Sequence, residues 1–364
     1  MILFWFELTV LVAGFAAAVL LFWRIPLLPR AKANPSVKIS VVIPARNEAK
    51  TLPLLLSDLQ AQTLKPHEII VVNDNSEDGT EQIAHSFGVK IISLTEKPEG
   101  WVGKCWACQQ GAKAATGDSL LFLDADVRLA SEGLGRIASA QAEYDVISVQ
   151  PYHATQRWYE QCALVFNLVQ IGAIGAALPR PTNLGFFGPI IALSSVQYFA
   201  IGGHVGVKSA VVEDLALADQ FRSAKIPFRI FVGDADISYR MYPDGFTALW
   251  HGFTKNFATA AAKLPAWLLL LVILFIASLI SAPLHLALSL AAASPLFWLY
   301  GTFYVLWVVT LFCISRRIGR FRPLAMLFYP VPLVVFLAIF VNSCVIRLFH
   351  GKVQWKGRAI KLER

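Results

Sequence analysis

The chain has 364 residues, of which 56% are hydrophobic and 15% charged, too apolar for an ordinary soluble protein, whose apolar share is about half and charged share about a quarter. Part of it must therefore lie in lipid. The net charge of +8 raises nucleic acid as a partner, but the basic residues gather beside apolar stretches, at Arg24, Arg30, Lys32, Arg316, Arg317, Arg320, Arg322 and in the tail from Lys352. That placement marks the cytosolic side of a membrane and favours anionic lipid over nucleic acid.

In chain order, Met1 to Trp23 is almost free of charge, lacks a basic leader and runs straight into Arg24. Residues 1–24 are thus expected to form a retained anchor with its carboxyl end in the cytosol. Residues 36–256 read as a cytosolic globular domain. Val37 to Ile43 is a β-branched run, Leu52, Leu55, Leu56 and Leu59 form a helical stripe, and Glu68 to Asn73 is a second apolar run. The pattern repeats with Val89 to Leu94, a helix from about Gly103, and Ser119 to Leu123, which predicts an α/β, Rossmann-like domain with a mostly parallel sheet. Ligands of such domains bind at the carboxyl ends of the strands.

Polar residues cluster at those ends: Pro44-Ala45-Arg46-Asn47-Glu48, then Asn73-Asp74-Asn75-Ser76, then Asp124-Ala125-Asp126. Two carboxylates one residue apart can reach one hard cation, magnesium or manganese, together with a diphosphate. Taken alone, Asp-x-Asp is equally a solvated turn; three clusters on one edge favour the site. The five cysteines show no disulfide pattern, and Cys105 and Cys108 form a solitary CxxC that reads as small residues on a helix surface.

Residues 156–178 hold an apolar segment too short for a comfortable span. Trp158, Cys162, Val165 and Val169 recur at helical spacing, which predicts a helix at the membrane interface, with a buried core helix as the alternative. Further on, Glu213-Asp214 opens the amphipathic stretch LALADQF, where the carboxylates serve either as a catalytic base or simply as favourable charge at a helix amino terminus. Residues 264–349 form a carboxyl-terminal membrane region with spans at Ala266 to Ala291 and Leu296 to Ile314. A third stretch, Leu324 to Ile346, would carry the basic tail of residues 350–364 outside if it crossed, so a re-entrant or interfacial hairpin is expected. No charged residue is evident at mid-depth of the spans, which argues against a transporter.

The segments VVIPARNEAKTL, VVNDNSEDGT, GWVGKCWACQQG and FLDADV, in this order and spacing, resemble the nucleotide-sugar domain of inverting family-two glycosyltransferases. The resemblance implies the GT-A fold, a nucleotide-sugar donor and a divalent cation. It implies that Asp74, with Glu48 and the loop Pro44, Ala45 and Arg46, receives the nucleoside, and that Asp124, Ala125 and Asp126 serve the diphosphate, the metal lying on Asp124 and Asp126. Lys104, at a predicted helix amino terminus, suits a phosphate, and Asp214, with Glu213, stands where the family has its catalytic base. Where processive members carry QxxRW this chain reads GFTKN, a departure against chain elongation; His251 and Lys255 there read either as donor contacts or as part of a polar turn.

The segments SVQPYHATQRWYE, NLGFFGPIIALSSVQYFAIGGH, YRMYPDGFTALWHGFTKN and VQWKGRAI resemble the bacterial carotenoid-acid glycosyltransferases, which implies glucose transfer from UDP-glucose to a carotenoid carboxylate at the plasma membrane. Phe187, Gly188, Gly202, Gly203 and His204 are then expected at the acceptor, and Trp355 and Arg358 as a cap. A carboxylate with an ordinary pKa of about 4 is already ionised and needs no general base. Ceramide, diacylglycerol or a hydroxylated polyisoprenoid therefore remains open as acceptor. A nucleotidyltransferase lacks its glycine-rich loop in PARNEA, and a non-catalytic nucleotide-binding scaffold would not need Asp124, Asp126 and Asp214 together.

Overall fold

The chain opens with α1 (Ile2–Leu21), then alternates strand and helix: β1 (Ile39–Ala45), α2 (Leu52–Gln60), β2 (Glu68–Asn73), α3 (Thr80–Ser86), β3 (Lys90–Ser93), α4 (Gly103–Ala114) and β4 (Ser119–Leu123). Next come β5 (Val127–Leu129), α5 (Gly133–Tyr144), β6 (Ile147–Gln150), β7 (Tyr152–His153), α6 (Ala163–Ile174), β8 (Ile190–Ser194), α7 (Ser195–Ala200), α8 (Glu213–Ser223), β9 (Arg229–Val232) and β10 (Ile237–Tyr239). The remainder is helical, α9 (Phe246–Ala261), α10 (Ala266–Ala291), α11 (Phe297–Ile318), α12 (Pro323–Leu327) and α13 (Pro330–Val345), before a terminal hairpin of β11 (Lys352–Trp355) and β12 (Arg358–Lys361). The computed structural model describes residues 2–31, 37–350, 352–355 and 358–361. Two compact units result, one of Met1–Ile25, Thr155–Thr182 and Tyr242–His350, the other of Pro26–Ala154, Asn183–Met241 and Gly351–Arg364.

The second unit is built on a seven-stranded sheet of order β3-β2-β1-β4-β8-β6-β9. Its first four strands are parallel, as the βα alternation predicts, whereas β8 inserts antiparallel between β4 and β6. Helices cover both faces, so the strands are apolar throughout rather than alternating. Val41, Ile43, Val71 and Leu121 pack with the leucine stripe of α2 and with Leu134 and Ile137 of α5. Val42, Ile70, Val72 and Phe122 pack with Ala107 and Cys108 of α4 and Leu217 and Phe221 of α8. Cys105 and Cys108 are thus buried free thiols inside the core, not helix-surface fillers.

In the first unit, α1, α10 and α11 and the helix Pro330–Phe349 are long and apolar enough to cross a membrane. α1 lies against α10, and Gly14 makes this possible: a Cβ there would sit 2.1 Å from Cβ of Ser278. Ser278 Oγ donates to the Leu11 carbonyl (3.1 Å) and accepts from Trp307 Nε1 of α11 (3.1 Å), and Phe15 stacks on Trp307 at 4.1 Å. Toward one end of these helices ionisable groups pair with one another: Glu7 of α1 meets His285 Nε2 of α10 at 3.2 Å and accepts the Tyr300 hydroxyl of α11. Each group satisfies another that lipid would leave unpartnered.

Two further expectations change. α6 is buried along nearly all its length, with Phe166 stacked on Phe253 of α9 at 3.9 Å and edge-on to Phe336 of α13 at 5.0 Å. It is the core helix of this unit rather than a helix lying at a surface, which is why it is apolar on every side. GFTKN is not a turn but lies within α9, whose Leu249, Phe253 and Phe257 recur every fourth residue and are buried. Leu324 to Ile346, expected as a re-entrant or interfacial hairpin, forms α12 and α13 instead, and the helix Pro330–Phe349 has the length and apolarity to cross; Tyr304 of α11 donates to the Leu327 carbonyl (2.5 Å) and its ring stacks on Tyr329 at 5.2 Å, just before α13.

Candidate active site

The carboxyl end of β4 carries Asp124-Ala125-Asp126, Ala125 buried and both aspartates partly exposed. Beside it, Lys104 enters from the first turn of α4 and Glu213 and Asp214 from the first turn of α8. The Lys104 Nζ lies 2.7 Å from Asp124 Oδ1 and 3.0 Å from Glu213 Oε1. Burial alone would depress the lysine pKa; the carboxylates Asp124 and Glu213 outweigh it and hold the ammonium well above its ordinary value. Lys104 is therefore a fixed cation among three carboxylates.

Asp214 is held by backbone: Oδ2 accepts from Gly188 N (3.1 Å) and Oδ1 from Leu215 N (2.8 Å). Burial first, and the Glu213 charge second, push its pKa up to about 6. A Cβ on Gly188 would stand 3.2 Å from Asp214 Oδ2 and 3.3 Å from Lys104 Nζ, so only glycine leaves this gap open. His204 lines the same cavity as Lys104, Asp124, Gly188, Glu213 and Asp214. Burial lowers its pKa to about 4, so the imidazole is neutral at pH 7. Its Nδ1 is 2.8 Å from the Tyr198 hydroxyl, which donates to Gln109 Oε1 (3.0 Å); the same oxygen accepts from His204 N (3.0 Å).

The remaining expected site residues take various places. Pro44 lines the cavity and Ala45 is buried at the end of β1. Arg46 clamps the neighbouring loop, donating to the carbonyls of Asp74 (2.8 Å) and Asn75 (2.6 Å), so it shapes the loop that presents Asp74. Glu48 accepts from Thr51 Oγ1 (2.6 Å), and Asp74 is buried with its N–H bonded to Ala45 O (2.8 Å). Phe187 is a core ring whose backbone is bound on both sides by Ser148 Oγ. Gly202 and Gly203 have φ of +82° and +55° and turn the chain so that His204 meets Tyr198. His251 and Lys255 lie on α9 in the first unit; Trp355 and Arg358 pair in the terminal hairpin, their side chains outside the described residues.

Gln109 escaped the sequence reading. The available signal was an amide at position 109 on the stripe of Cys105, Cys108 and Ala112, the buried face of α4, where a polar group must find a buried partner. For a divalent cation, the donor set fits: Asp124 and Asp126 offer hard oxygens on a strand end, and a donor diphosphate would supply others, a combination typical of magnesium. Among the described residues no group of three or more His, Cys, Asp or Glu could hold a metal by itself.

A model described as glycosyl transferase family 2 matches residues 40–164. A 4,4'-diaponeurosporenoate glycosyltransferase of Staphylococcus aureus (strain MRSA252) is 32% identical over 334 residues, 90% of this chain and 89% of the relative. The chain belongs to glycosyl transferase family 2. The enzyme of that name from S. aureus strain bovine RF122 / ET3-1 is 32% identical over 367 residues, 98% of both chains. Among solved structures, a mannosyltransferase from Pyrobaculum calidifontis, in complex with GDP-mannose and Mn2+, aligns with TM-score 0.58 and 18% identity over 94% of this chain and 98% of that one. That likeness assigns the GT-A fold, and this family-two protein is a glycosyltransferase.

Proposed function

We propose that this enzyme is an inverting, non-processive transferase that moves glucose from UDP-glucose to the carboxylate of a membrane-dissolved carotenoid acid, forming a glucosyl ester at the cytosolic face of the plasma membrane. The observation that carries the chemistry is the convergence of Lys104, Asp124, Glu213 and Asp214 on one cavity at the carboxyl edge of the sheet. The name of the curated relatives supports the acceptor, and helices long enough to span a bilayer support a lipid-dissolved one.

In the reaction an acceptor oxygen attacks the anomeric carbon from the face opposite the diphosphate, the glycosidic C–O bond to the diphosphate breaks, and the configuration inverts. Lys104 offers its ammonium to the leaving diphosphate from a helix amino terminus. Asp124 and Asp126 would hold the magnesium or manganese ion, which supplies charge neutralisation for the diphosphate. Arg46 keeps the Asp74 loop in place for the nucleoside, and Gly188 leaves room at Asp214 for the acceptor.

Asp214 favours a second reading. A half-buried carboxylate with a pKa raised to about 6 suits removal of a proton from a hydroxyl acceptor, as in glucosylation of ceramide, diacylglycerol or a hydroxylated polyisoprenoid. The deciding experiment offers labelled UDP-glucose and manganese to the detergent-solubilised chain with a carotenoid acid, ceramide and diacylglycerol side by side, repeated with Asp214→Asn and in EDTA. Label in an alkali-labile carotenoid ester, made also by Asp214→Asn, supports the first reading. Label in a hydroxyl lipid that vanishes with Asp214→Asn selects the second, and full turnover in EDTA overturns the metal assignment.

A further inference from the structure

We propose that the surface formed by Arg157, Arg316, Arg317, Arg320 and Arg322 binds the phosphate headgroups of anionic phospholipids. These residues come from two segments far apart in sequence, and the fold of the first unit stitches them together. Thr155 Oγ1 donates to the Arg320 carbonyl, Arg322 N donates to Gln161 Oε1 (2.8 Å), and Arg322 Nη2 donates to the Gln156 carbonyl (3.0 Å). All five arginines are exposed. The one carboxylate within these segments, Glu160, is buried and accepts from the backbone, from Gln156 N and Arg157 N (3.1 Å). Among the described residues, none of the five has an ion-pair partner.

A charge bias that only orients helices needs no convergence of distant segments. Here five guanidinium groups, each a planar fork suited to phosphate oxygens, are exposed on two segments that the fold joins by hydrogen bonds between residues 155–161 and 320–322. Exposed apolar side chains lie next to them in sequence: Trp158 at 74%, Leu324 at 63% and Phe328 at 57% exposure. An anion that brings acyl chains covers those side chains; a free phosphate does not. That combination selects a phospholipid over a soluble anion.

The inference rests on the membrane reading of the proposed function. Its test uses the full chain released in mild detergent and offered equimolar phosphatidylglycerol and phosphatidylcholine, with bound lipid counted by native mass spectrometry. The variant combines Arg157→Gln, Arg317→Gln and Arg320→Gln, whose side chains make no hydrogen bond among the described contacts. The wild type should retain phosphatidylglycerol about tenfold over phosphatidylcholine, and the variant should show a preference under about twofold. Equal retention of both lipids by the wild type, or an unchanged preference in the variant, overturns the inference. So does displacement of the bound lipid by millimolar glycerol phosphate, which would mark a site for a soluble anion. Release of the wild-type chain from membranes by alkaline carbonate would instead overturn the membrane reading itself.

Discussion

Asp214 and Lys104 both have pKa values raised above those of solvated side chains. With a pKa near 6, set by burial and by Glu213, Asp214 as a base must lose its proton. Turnover of a hydroxyl acceptor should therefore rise with pH through about 6 and level off above it, and a kcat/KM profile checks this. With a carboxylate acceptor the sign reverses, since protonating Asp214 removes a like charge beside the incoming anion; no loss of rate on this account is then expected below pH 6. Lys104→Met would leave Asp124, Glu213 and Asp214 without their shared cation. Its kcat should fall by about 10²–10³, the usual loss of one preorganised electrostatic group, while Cys105→Ser, whose thiol faces the Val207 carbonyl in the core, should leave kcat within about threefold.

Among the elements, α1 is joined to the α10 and α11 pair by packing at Gly14 and by the Glu7, His285 and Tyr300 cluster. Glu7→Ala should lower stability in detergent by about 1–3 kcal/mol, because two polar groups lose their partner in a site with little water. A double-mutant cycle with His285→Ala, read by thermal unfolding, should give a coupling of about 1 kcal/mol; strict additivity would show the contact to be idle. Strands and helices of the amino half were legible because their periodicity records burial on two faces. α6 was legible as a helix but not as a core one, since an apolar helix in a protein interior and one against lipid have the same composition.

For the whole molecule, four helices among the described residues that are long and apolar enough to cross a membrane predict that the chain stays in the pellet when membranes are washed with alkaline carbonate and leaves it only with detergent; recovery in the supernatant would refute this. The tail illustrates the limit of composition. Its basic residues are visible in the sequence, and the pairing of β11 with β12 is a local hairpin, yet its charge carries no record of which surface it serves.

By itself the sequence determined the apolar spans, the βα order of the nucleotide-sugar domain and the Asp-x-Asp edge, because each is a local pattern of residue types with a period or spacing of its own. Only the tertiary structure decided that Lys104 lies between Asp124 and Glu213, that Gly188 binds Asp214, and that His204 rests on Tyr198 and Gln109. The same is true of Arg46, which holds the Asp74 loop through two backbone carbonyls, and of Glu7, which finds its partners on helices over two hundred residues away in sequence. The physical reason is common to all of these. A side chain's charge and role depend on which partners desolvate and pair with it, and those partners are brought together by packing between elements, which no local pattern encodes.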